Sequence, residues 1–363
     1  MSFQSRCNIE RKIRDPAQTL RPRERIMTNA CNAQAQPRNG GTIFSLGELL
    51  VDLIPVEDGG RIEQAGAVLK VASGSAGIFA CAVAALNAKS GFLGKVGLDA
   101  LSRMVYSTVR EIGVNMDHVV HSNEGQIGLA FIEYLPDGKR NYEYYRNRSV
   151  GSLYRADELD ADALEGAFAL HFPGMLLDLS PELRETSLFA ARAAKEKGAL
   201  LSFDPNIRAE LRAGASMERM ISVIRMSDII APTLVEGQMI TGKQSTGDVL
   251  RALHEMGPGV VALTQDKDGA VVSRNGEVAL CSGIDVPVID PTGAGDTFAA
   301  ALVVALQREM CLSETALFCN CAGTLVVTRR GAIGQAIPTL QEVAALMTQK
   351  PCDVRIVPLS ELE

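Results

Sequence analysis

Residues 290–296 read Asp-Pro-Thr-Gly-Ala-Gly-Asp and stand between the mostly apolar segment Ile284–Ile289 and the apolar stretch Thr297–Gln307. Two glycines at the start of a helix let the backbone N–H groups of Gly293, Ala294 and Gly295 converge on an anion. The positive end of the helix dipole adds to the attraction. The stretch therefore predicts a helix, Gly293–Gln307, that begins at a phosphate-binding turn.

Asp296 closes this turn. A carboxylate beside a bound phosphate is electrostatically unfavourable unless it has a task, and Asp296 stands where it can take a proton from an attacking hydroxyl. The alternative is a first-turn carboxylate that only satisfies helix N–H groups. Other phosphate-binding motifs fit less well, because the third glycine of G-x-G-x-x-G is missing and the chain contains no G-x-x-x-x-G-K-[ST] and no H-R-D or D-F-G set.

Upstream of this turn, from Gly41 on, short apolar runs alternate with amphipathic helical stretches. This alternation predicts an α/β fold with a doubly wound, mostly parallel sheet and helices on both faces. The predicted strands are Thr42–Leu46, Gly91–Leu93, Ala167–Phe172, Leu200–Phe203, Ile229–Ala231 and Val260–Thr264. The predicted helices are Ser75–Leu86, Leu101–Ile112, Pro181–Lys197, Val235–Thr241, Thr246–Met256, Gly293–Gln307, Ser313–Thr328 and Leu340–Met347.

Two stretches with β character interrupt this rhythm. Ile127–Tyr134 and Asn141–Arg146 flank the turn Pro136-Asp137-Gly138 and predict an antiparallel hairpin. Together with the segment after Gly47, they predict a small β lid from about residues 48–72 and 124–148. A lid over the ends of the parallel strands would exclude water from a transfer reaction. Because the lid's own sheet face needs cover, a homodimer through the lid is a further hypothesis.

The two ends of the chain are predicted to be tails, residues 1–40 and 351–363, around one domain at 41–350. The first forty residues contain eight basic and three acidic residues and show no hydrophobic period. An arginine-rich organelle-targeting segment is one interpretation, but such segments avoid acids. A disordered or over-extended start, with Met27 as the initiator, fits better. The eight cysteines are scattered and read as reduced thiols, so we expect a cytoplasmic protein.

Bulk composition narrows the classes of ligand. The 363 residues carry a net charge of −7 and have a pI near 5.4. Nucleic acid is excluded as a main partner because phosphate-backbone binding needs a clustered positive surface. No apolar run approaches the ~20 residues of a membrane-spanning helix. A small-molecule substrate is the expectation.

The sequence resembles the ribokinase-like (PfkB) carbohydrate kinases, because Asp290–Asp296 matches their C-terminal signature D-[TP]-[TV]-G-A-G-D at every position. The resemblance extends from about Gly41 to Met347. It includes Gly47-Glu48 with Asp52, Gly94-Lys95-Val96-Gly97, Tyr145-Arg146, Asp204-Pro205-Asn206-Ile207-Arg208, and Gly331-Ala332 with Pro338-Thr339.

The resemblance implies ATP-dependent phosphorylation of a small free sugar. Asp296 would be the catalytic base, and Gly293, Ala294 and Gly295 would form an anion hole for the transferring phosphate. Glu236 matches the acid of the N-x-x-E motif that organises Mg²⁺-bound phosphates through water. Asp290 resembles the residue that binds a potassium-like ion in several members. Thr264, Gly269 and Asn320 match positions around the nucleotide.

The same resemblance assigns sugar contacts to Asp52, Gly74, Tyr145, Arg146 and Arg208. A carboxylate accepts hydroxyl protons and repels a sugar acid, so Asp52 favours a neutral ketohexose, as in fructokinases. The arginines could instead hold a carboxylate, as in 2-keto-3-deoxygluconate kinases. Another PfkB sugar or nucleoside kinase and a non-catalytic sugar- or nucleotide-binding relative are the remaining alternatives.

Two positions depart from the family pattern. Ile78 stands where the first signature, G-G-x-x-x-N, has a sugar-contacting Asn. Thr233 stands where the N-x-x-E motif has its Asn. Both changes affect the identity of the substrate, while neither removes the base or the anion hole.

Overall fold

The fold is taken from a computed structural model that describes residues 40–56, 61–134, 140–207, 216–349 and 351–363. The predicted N-terminal tail, the hairpin turn Pro136-Asp137-Gly138 and Arg208 lie outside the described residues. No helix within these ranges is long and apolar enough to cross a membrane. The six cysteines within them are all free thiols.

Fourteen strands and ten α-helices are formed by the described residues. The strands are β1 Ile43–Leu46, β2 Leu50–Pro55, β3 Val68–Ser73, β4 Ser90–Gly97, β5 Val119–Ser122, β6 Gly128–Tyr134, β7 Arg140–Tyr145, β8 Ala169–Pro173, β9 Leu200–Asp204, β10 Ile229–Ile230, β11 Val260–Thr264, β12 Gly269–Arg274, β13 Glu277–Ser282 and β14 Val354–Pro358. The helices are α1 Ser75–Ala85, α2 Ala100–Glu111, α3 Leu176–Leu179, α4 Pro181–Glu196, α5 Met217–Met226, α6 Leu234–Thr241, α7 Thr246–Met256, α8 Ala294–Gln307, α9 Leu312–Val327 and α10 Leu340–Thr348.

Ten strands form the main sheet, in the order β14-β13-β12-β11-β10-β9-β8-β1-β4-β5. The pairs from β11 through β10, β9, β8, β1 and β4 to β5 are parallel. Strand order reverses beside β1, so one half of the sheet winds in each direction from it. This arrangement confirms the predicted doubly wound, mostly parallel fold, and it places the carboxyl ends of these strands along one edge.

Alternating residues of the parallel strands pack on helices that cover both faces. Ile43 belongs to a core with Phe79 of α1 and the apolar residues of α8 and α9. Its neighbour Phe44 belongs to a second core with Leu183 of α4 and Val249 of α7. Because strands buried on both faces need apolar residues at most positions, β1, β8, β9 and β11 are mostly apolar and show no strict alternation of apolar and polar residues.

The C-terminal residues do not form the predicted tail. β14 pairs antiparallel with β13, from Glu277 opposite Pro358 to Cys281 opposite Val354, and extends the main sheet by one strand. Val357 packs against the core, and Arg251 donates to the carbonyls of Leu359 and Leu362 at 2.9 Å. Residues 351–363 show no helical period and follow the polar residues Gln349 and Lys350. Their strand character is therefore evident only from the pairing of β14 with β13.

A separate four-stranded sheet, in the order β3-β2-β6-β7, lies beside the main one. β6 and β7 pair antiparallel, with Leu129 opposite Tyr145, as predicted for the hairpin. β2 pairs antiparallel with β3 and parallel with β6. We call these four strands the small sheet. It reaches the carboxyl edge of the main sheet because β2 follows β1 after only three residues.

Candidate active site

A cleft of about 230 Å³ opens between the small sheet and the carboxyl edge of the main sheet. Its walls come from the small sheet, the ends of β9 and β11, and the first turns of α1, α6 and α8. The lining residues include Asp52, Gly74, Ser75, Ile78, Arg140, Tyr142, Tyr144, Arg146, Asp204, Asn206, Thr233, Glu236, Thr264, Thr292, Gly293, Gly295 and Asp296.

Asp296 lies in the first turn of α8 at the floor of the cleft and is 6% exposed. Ser75, the first residue of α1, donates its hydroxyl hydrogen to Oδ1 of Asp296. Asn206 in turn donates from Nδ2 to the Ser75 hydroxyl at 3.2 Å. This chain of donors orients the Asp296 carboxylate, which lines the cleft.

The turn before Asp296 has the backbone that its two glycines allow. Gly293 adopts φ 83°, a left-handed conformation that disfavours a side chain. A Cβ there would lie 3.0 Å from Cγ2 of Ile78, so the apolar residue that departs from the family pattern packs directly on the turn. A Cβ on Gly295 would meet nothing within 4 Å, which leaves open space above the helix start. Backbone N–H groups at such a start attract phosphate.

Asp290 is fully buried and is held by four donors. Thr292 donates to its Oδ1 from N at 3.0 Å and from Oγ1 at 2.6 Å, and the N–H of Gly331 donates to Oδ2 at 3.0 Å. The fourth donor is Arg140 of the small sheet, whose Nη1 lies 3.2 Å from Oδ1 and also donates to the Thr292 hydroxyl. The two sheets are therefore tied together at the glycine turn that precedes Asp296.

The small sheet presents one face of β7 to the cleft. Side chains alternate along a strand, so Arg140, Tyr142, Tyr144 and Arg146 line the cleft while Tyr145 points away. Tyr145 is 59% exposed and donates to Glu143 at 2.9 Å. The prediction that Tyr145 contacts the sugar is therefore wrong for this structure, because the strand period places its two neighbours there instead.

Asp52 and Arg146 both reach the cleft wall. Asp52 lies in the middle of β2 of the small sheet, opposite Ala130, which is itself opposite Tyr144. Cross-strand neighbours share a face of a sheet, so Asp52 and Tyr144 are presented together. The Arg146 guanidinium lies 4.3 Å from the centre of the Tyr144 ring. Gly74, at φ 107°, lines the cleft where a Cβ would meet the carbonyl oxygen of Glu48 at 2.5 Å.

Glu48 supports this wall from behind. Its Oε1 accepts from the Ser149 hydroxyl, and its Oε2 lies 3.7 Å from Nη1 of Arg146. Burial raises the pKa of Glu48 to about 7, against the lowering effects of Arg146 and Ser149. The charge of this pair therefore changes near neutral pH.

Glu236 lines the cleft at the third position of α6, and its carboxylate is engaged by the protein. Oε2 accepts from the N–H of Thr233 at 2.8 Å and from its hydroxyl at 2.9 Å, and Oε1 accepts from the N–H of Ile207 at 2.7 Å. Thr233 caps the helix in the place of the family's Asn. With three donors on its oxygens, Glu236 is suited to hold a metal's water ligands rather than the ion itself.

The three predicted nucleotide positions separate in the structure. Thr264, at the end of β11, lines the cleft. Gly269 begins β12 at φ 106°, with a Cβ position 2.1 Å from the carbonyl oxygen of Cys281. Asn320 is buried and donates from Nδ2 to the carbonyl of Ser282 at 2.9 Å. Gly269 and Asn320 therefore both lie beside β13. Neither lines the cleft together with Asp296.

Several lining residues were not assigned a role from the sequence. Ser75 and Asn206 stood inside quoted motifs, while Arg140, Tyr142 and Thr292 form contacts between segments about 150 residues apart. The only sequence signal is the alternation of Arg140, Tyr142, Tyr144 and Arg146, which indicates that these side chains share one face of a strand. That alternation does not identify the part of the protein that the face contacts.

A sequence profile described as pfkB family carbohydrate kinase matches residues 41–340. Fructokinase-1 of Zea mays is 33% identical over 315 residues, covering 84% of this chain and 97% of that protein. A fructokinase of Solanum tuberosum is 32% identical over 317 residues, covering 85% and 96%.

Solved structures share the fold. An Escherichia coli protein assigned to ribokinase II, in complex with ATP and Mg²⁺, has a TM-score of 0.80 and 25% identity, covering 85% of this chain and 99% of that one. A 2-dehydro-3-deoxygluconokinase of Thermotoga maritima has a TM-score of 0.79 and 22% identity over 85% and 99%. A double mutant of a Vibrio cholerae fructokinase, with fructose, ADP and potassium bound, has a TM-score of 0.74 and 24% identity over 85% and 98%.

Proposed function

The chain belongs to the pfkB family of carbohydrate kinases, and from that premise we propose that it transfers the γ-phosphoryl group of ATP to a hydroxyl of a neutral ketohexose, with Asp296 as the base. The observation that carries the proposal is the position of Asp296, on the cleft floor beside the Gly293–Gly295 turn. A base and an anion hole in adjacent residues place proton removal and phosphoryl transfer at one point.

In the proposed reaction Asp296 accepts the proton of the sugar hydroxyl as that oxygen attacks the phosphorus. Ser75 and Asn206 keep the carboxylate oriented. The N–H groups of Gly293, Ala294 and Gly295 stabilise negative charge that grows on the transferring group, and the α8 dipole adds to that effect. The small sheet covers the cleft and keeps water from competing with the sugar.

The residues present fit ATP with Mg²⁺ in the way that the family implies. Thr264 and the Gly293–Gly295 turn would face the nucleotide and its phosphates, and Glu236 would hold water ligands of the ion. Bound Mg²⁺ neutralises phosphate charge during transfer. Within the described residues, no group of three His, Cys, Asp or Glu side chains forms a direct metal site. Contacts of Gly269 and Asn320 with the nucleotide stay predictions.

A monovalent cation at Asp290 fits less well. Both carboxylate oxygens already accept N–H donors, and the Arg140 guanidinium lies 3.2 Å away. A second cation beside that guanidinium would be repelled. The proposed reaction therefore includes no monovalent cation.

The ketohexose assignment rests on Asp52 and on the names of the relatives. Asp52 is 3% exposed and stands where hydroxyl groups of a bound sugar could donate to it. The two relatives compared above at 32–33% identity are both named fructokinase. The competing substrate is 2-keto-3-deoxygluconate, because Arg146 shares the same wall and Ile78 provides an apolar contact that suits a carbon lacking a hydroxyl.

The deciding experiment measures ADP formation with a panel of free sugars. We expect fructose to give the highest kcat/KM and 2-keto-3-deoxygluconate to give a value at least tenfold lower. A clear preference for the acid would replace the ketohexose and leave the kinase activity. No turnover on any sugar, with ATP still bound, would favour a non-catalytic binding protein.

Pairing of two copies through the small sheet is part of the proposal. Val68 and Tyr145 lie on the face of this sheet that points away from the cleft and are each more than 40% exposed, and a second copy would cover them. Light scattering at micromolar concentration should give about twice the chain mass of 38.8 kDa. A mass near that of one chain would contradict it.

A further inference from the structure

Arg140 is the cationic residue that the small sheet brings to the phosphate-binding turn. Its Nη1 donates to the hydroxyl of Thr292, the residue immediately before Gly293, and to Oδ1 of Asp290. Tyr142, two residues further along β7, places its hydroxyl 3.5 Å from the same Thr292 oxygen. The contact therefore involves one face of a strand rather than a single side chain.

The charge of Asp290 makes this contact consequential. Asp290 is fully buried a few residues from the anion hole, and an uncompensated carboxylate there would repel the phosphate that the turn attracts. The guanidinium of Arg140 supplies the opposite charge. Its position keeps the electrostatic potential at the turn favourable for an anion.

Arg140 also carries N–H groups that its hydrogen bonds to Asp290 and Thr292 do not use. A guanidinium carries five N–H groups in a planar fork that matches phosphate oxygens. Among the described residues, the hydrogen bonds of Arg140 use Nη1 alone, and the side chain is 19% exposed toward the cleft that it lines. No hydrogen bond joins Nη2 or Nε to another described residue, and the side chain lines the cleft in which a ligand would bind.

We propose that Arg140 is a further catalytic residue, which binds the transferring phosphoryl group from the side of the small sheet while its Nη1 remains on Asp290 and Thr292. No covalent bond to Arg140 forms. The guanidinium stabilises charge that accumulates on the phosphoryl oxygens in the transition state. Arg140 belongs to β7, so phosphate stabilisation is complete only when the small sheet covers the cleft. Covering of the sugar is thereby coupled to phosphoryl transfer. The inference rests on the kinase activity and is independent of which sugar is the substrate.

The test compares Arg140→Gln and Arg140→Lys with wild type, using the sugar that gives the highest turnover. We expect Arg140→Gln to lower kcat at least about 10²-fold, the lower end of the range for losing a transition-state donor, while KM for sugar and for ATP change less than about threefold. Arg140→Lys keeps the positive charge but loses the planar guanidinium fork, so its kcat should lie between those of wild type and Arg140→Gln. Affinity for ADP with aluminium fluoride, a mimic of the transferring group, should fall in Arg140→Gln while affinity for ADP alone stays.

Arg148→Gln is the matched control, because Arg148 is an exposed arginine just beyond the same strand and is absent from the cleft wall. It should retain wild-type kinetics. A kcat within twofold of wild type in Arg140→Gln would overturn the proposal, and so would a tenfold rise in sugar KM at constant kcat, which would make Arg140 a sugar ligand. A melting temperature within a few degrees of wild type excludes loss of the fold as the cause. If wild type phosphorylates no sugar, the proposed function fails, and the aluminium fluoride measurement still tests Arg140.

Discussion

The hydroxyl of Ser75 donates a hydrogen bond to Oδ1 of Asp296. The two residues are 221 positions apart, and each lies in the first turn of its own helix. This contact joins the starts of α1 and α8 at the cleft floor, so the orientation of the proposed base depends on both helices. The predictions below test what this arrangement and its surroundings contribute.

Replacement of Asp296 by Asn should abolish phosphoryl transfer, because an amide of the same shape cannot accept the proton. We expect kcat to fall at least ~10²-fold while ATP binding persists. Coupled ADP formation and calorimetric ATP titration measure the two quantities. Asp157→Asn, at an exposed carboxylate, serves as the control. Near-wild-type turnover of Asp296→Asn would disprove its role as the base.

Ser75→Ala should lower kcat about tenfold and leave the KM for ATP unchanged, since the carboxylate loses a hydrogen bond of the charged class, worth about 1.5–3 kcal/mol. Ser75→Thr retains the hydroxyl and should recover part of the activity. Ser222→Ala, which removes an exposed hydroxyl bonded only within α5, provides the control. If Ser75→Ala and Ser222→Ala have the same steady-state kinetics, the contact has no catalytic effect.

Substrate charge can be tested by comparing Asp52→Asn with Arg146→Ala on fructose and on 2-keto-3-deoxygluconate. For a neutral sugar, Asp52→Asn should cost ~1.5–3 kcal/mol in kcat/KM through lost charged hydrogen bonds. For a sugar acid, Arg146→Ala should cost more, because the carboxylate loses its counter-ion. The larger loss on the preferred sugar identifies which residue contacts it.

Glu48→Gln should change how stability depends on pH. The folded-state pKa of Glu48 is raised from 4.5 to about 7, so the buried carboxyl favours its protonated form. The contribution of the Glu48 carboxyl to the stability of the wild type is therefore fully present below about pH 4.5 and is lost as the pH rises through 7. Relative to Glu48→Gln, wild type should lose up to about 3 kcal/mol in free energy of unfolding between pH 4.5 and pH 8. Urea unfolding at several pH values measures this, and a difference that stays constant with pH would contradict the shift.

Removal of residues 351–363 should destabilise the protein, because β14 completes the edge of the main sheet and Val357 packs against its core. We expect the melting temperature to fall by at least about 5 °C, equivalent to a few kcal/mol for a domain of this size. Removal of residues 1–40, the predicted N-terminal tail, is the comparison and should barely change it. Equal melting temperatures for the two truncations would show that β14 adds no stability.

The predicted parallel strands and most helices agree with the structure to within a few residues, and Val260–Thr264 and Thr246–Met256 agree at both ends. These elements were predictable because their apolar periods are local and continuous. β14 was not, since a short segment beside polar residues becomes a strand only by pairing with β13. The exposure of Tyr145 was missed for a related reason: a motif identifies neighbouring residues, while the phase of β7 decides which of them faces the cleft.

The sequence by itself determined the family, the α/β order and the glycine turn before Asp296, because that turn, its closing acid and the helix that follows are contiguous in the chain. Only the tertiary structure decided which side chains meet that turn. Ser75 and Arg140 reach it from elements about 150 to 220 residues away, and Glu236 is held by Ile207 of another loop. Such contacts depend on how helices and sheets are packed together, and local sequence carries no signal for packing partners that distant.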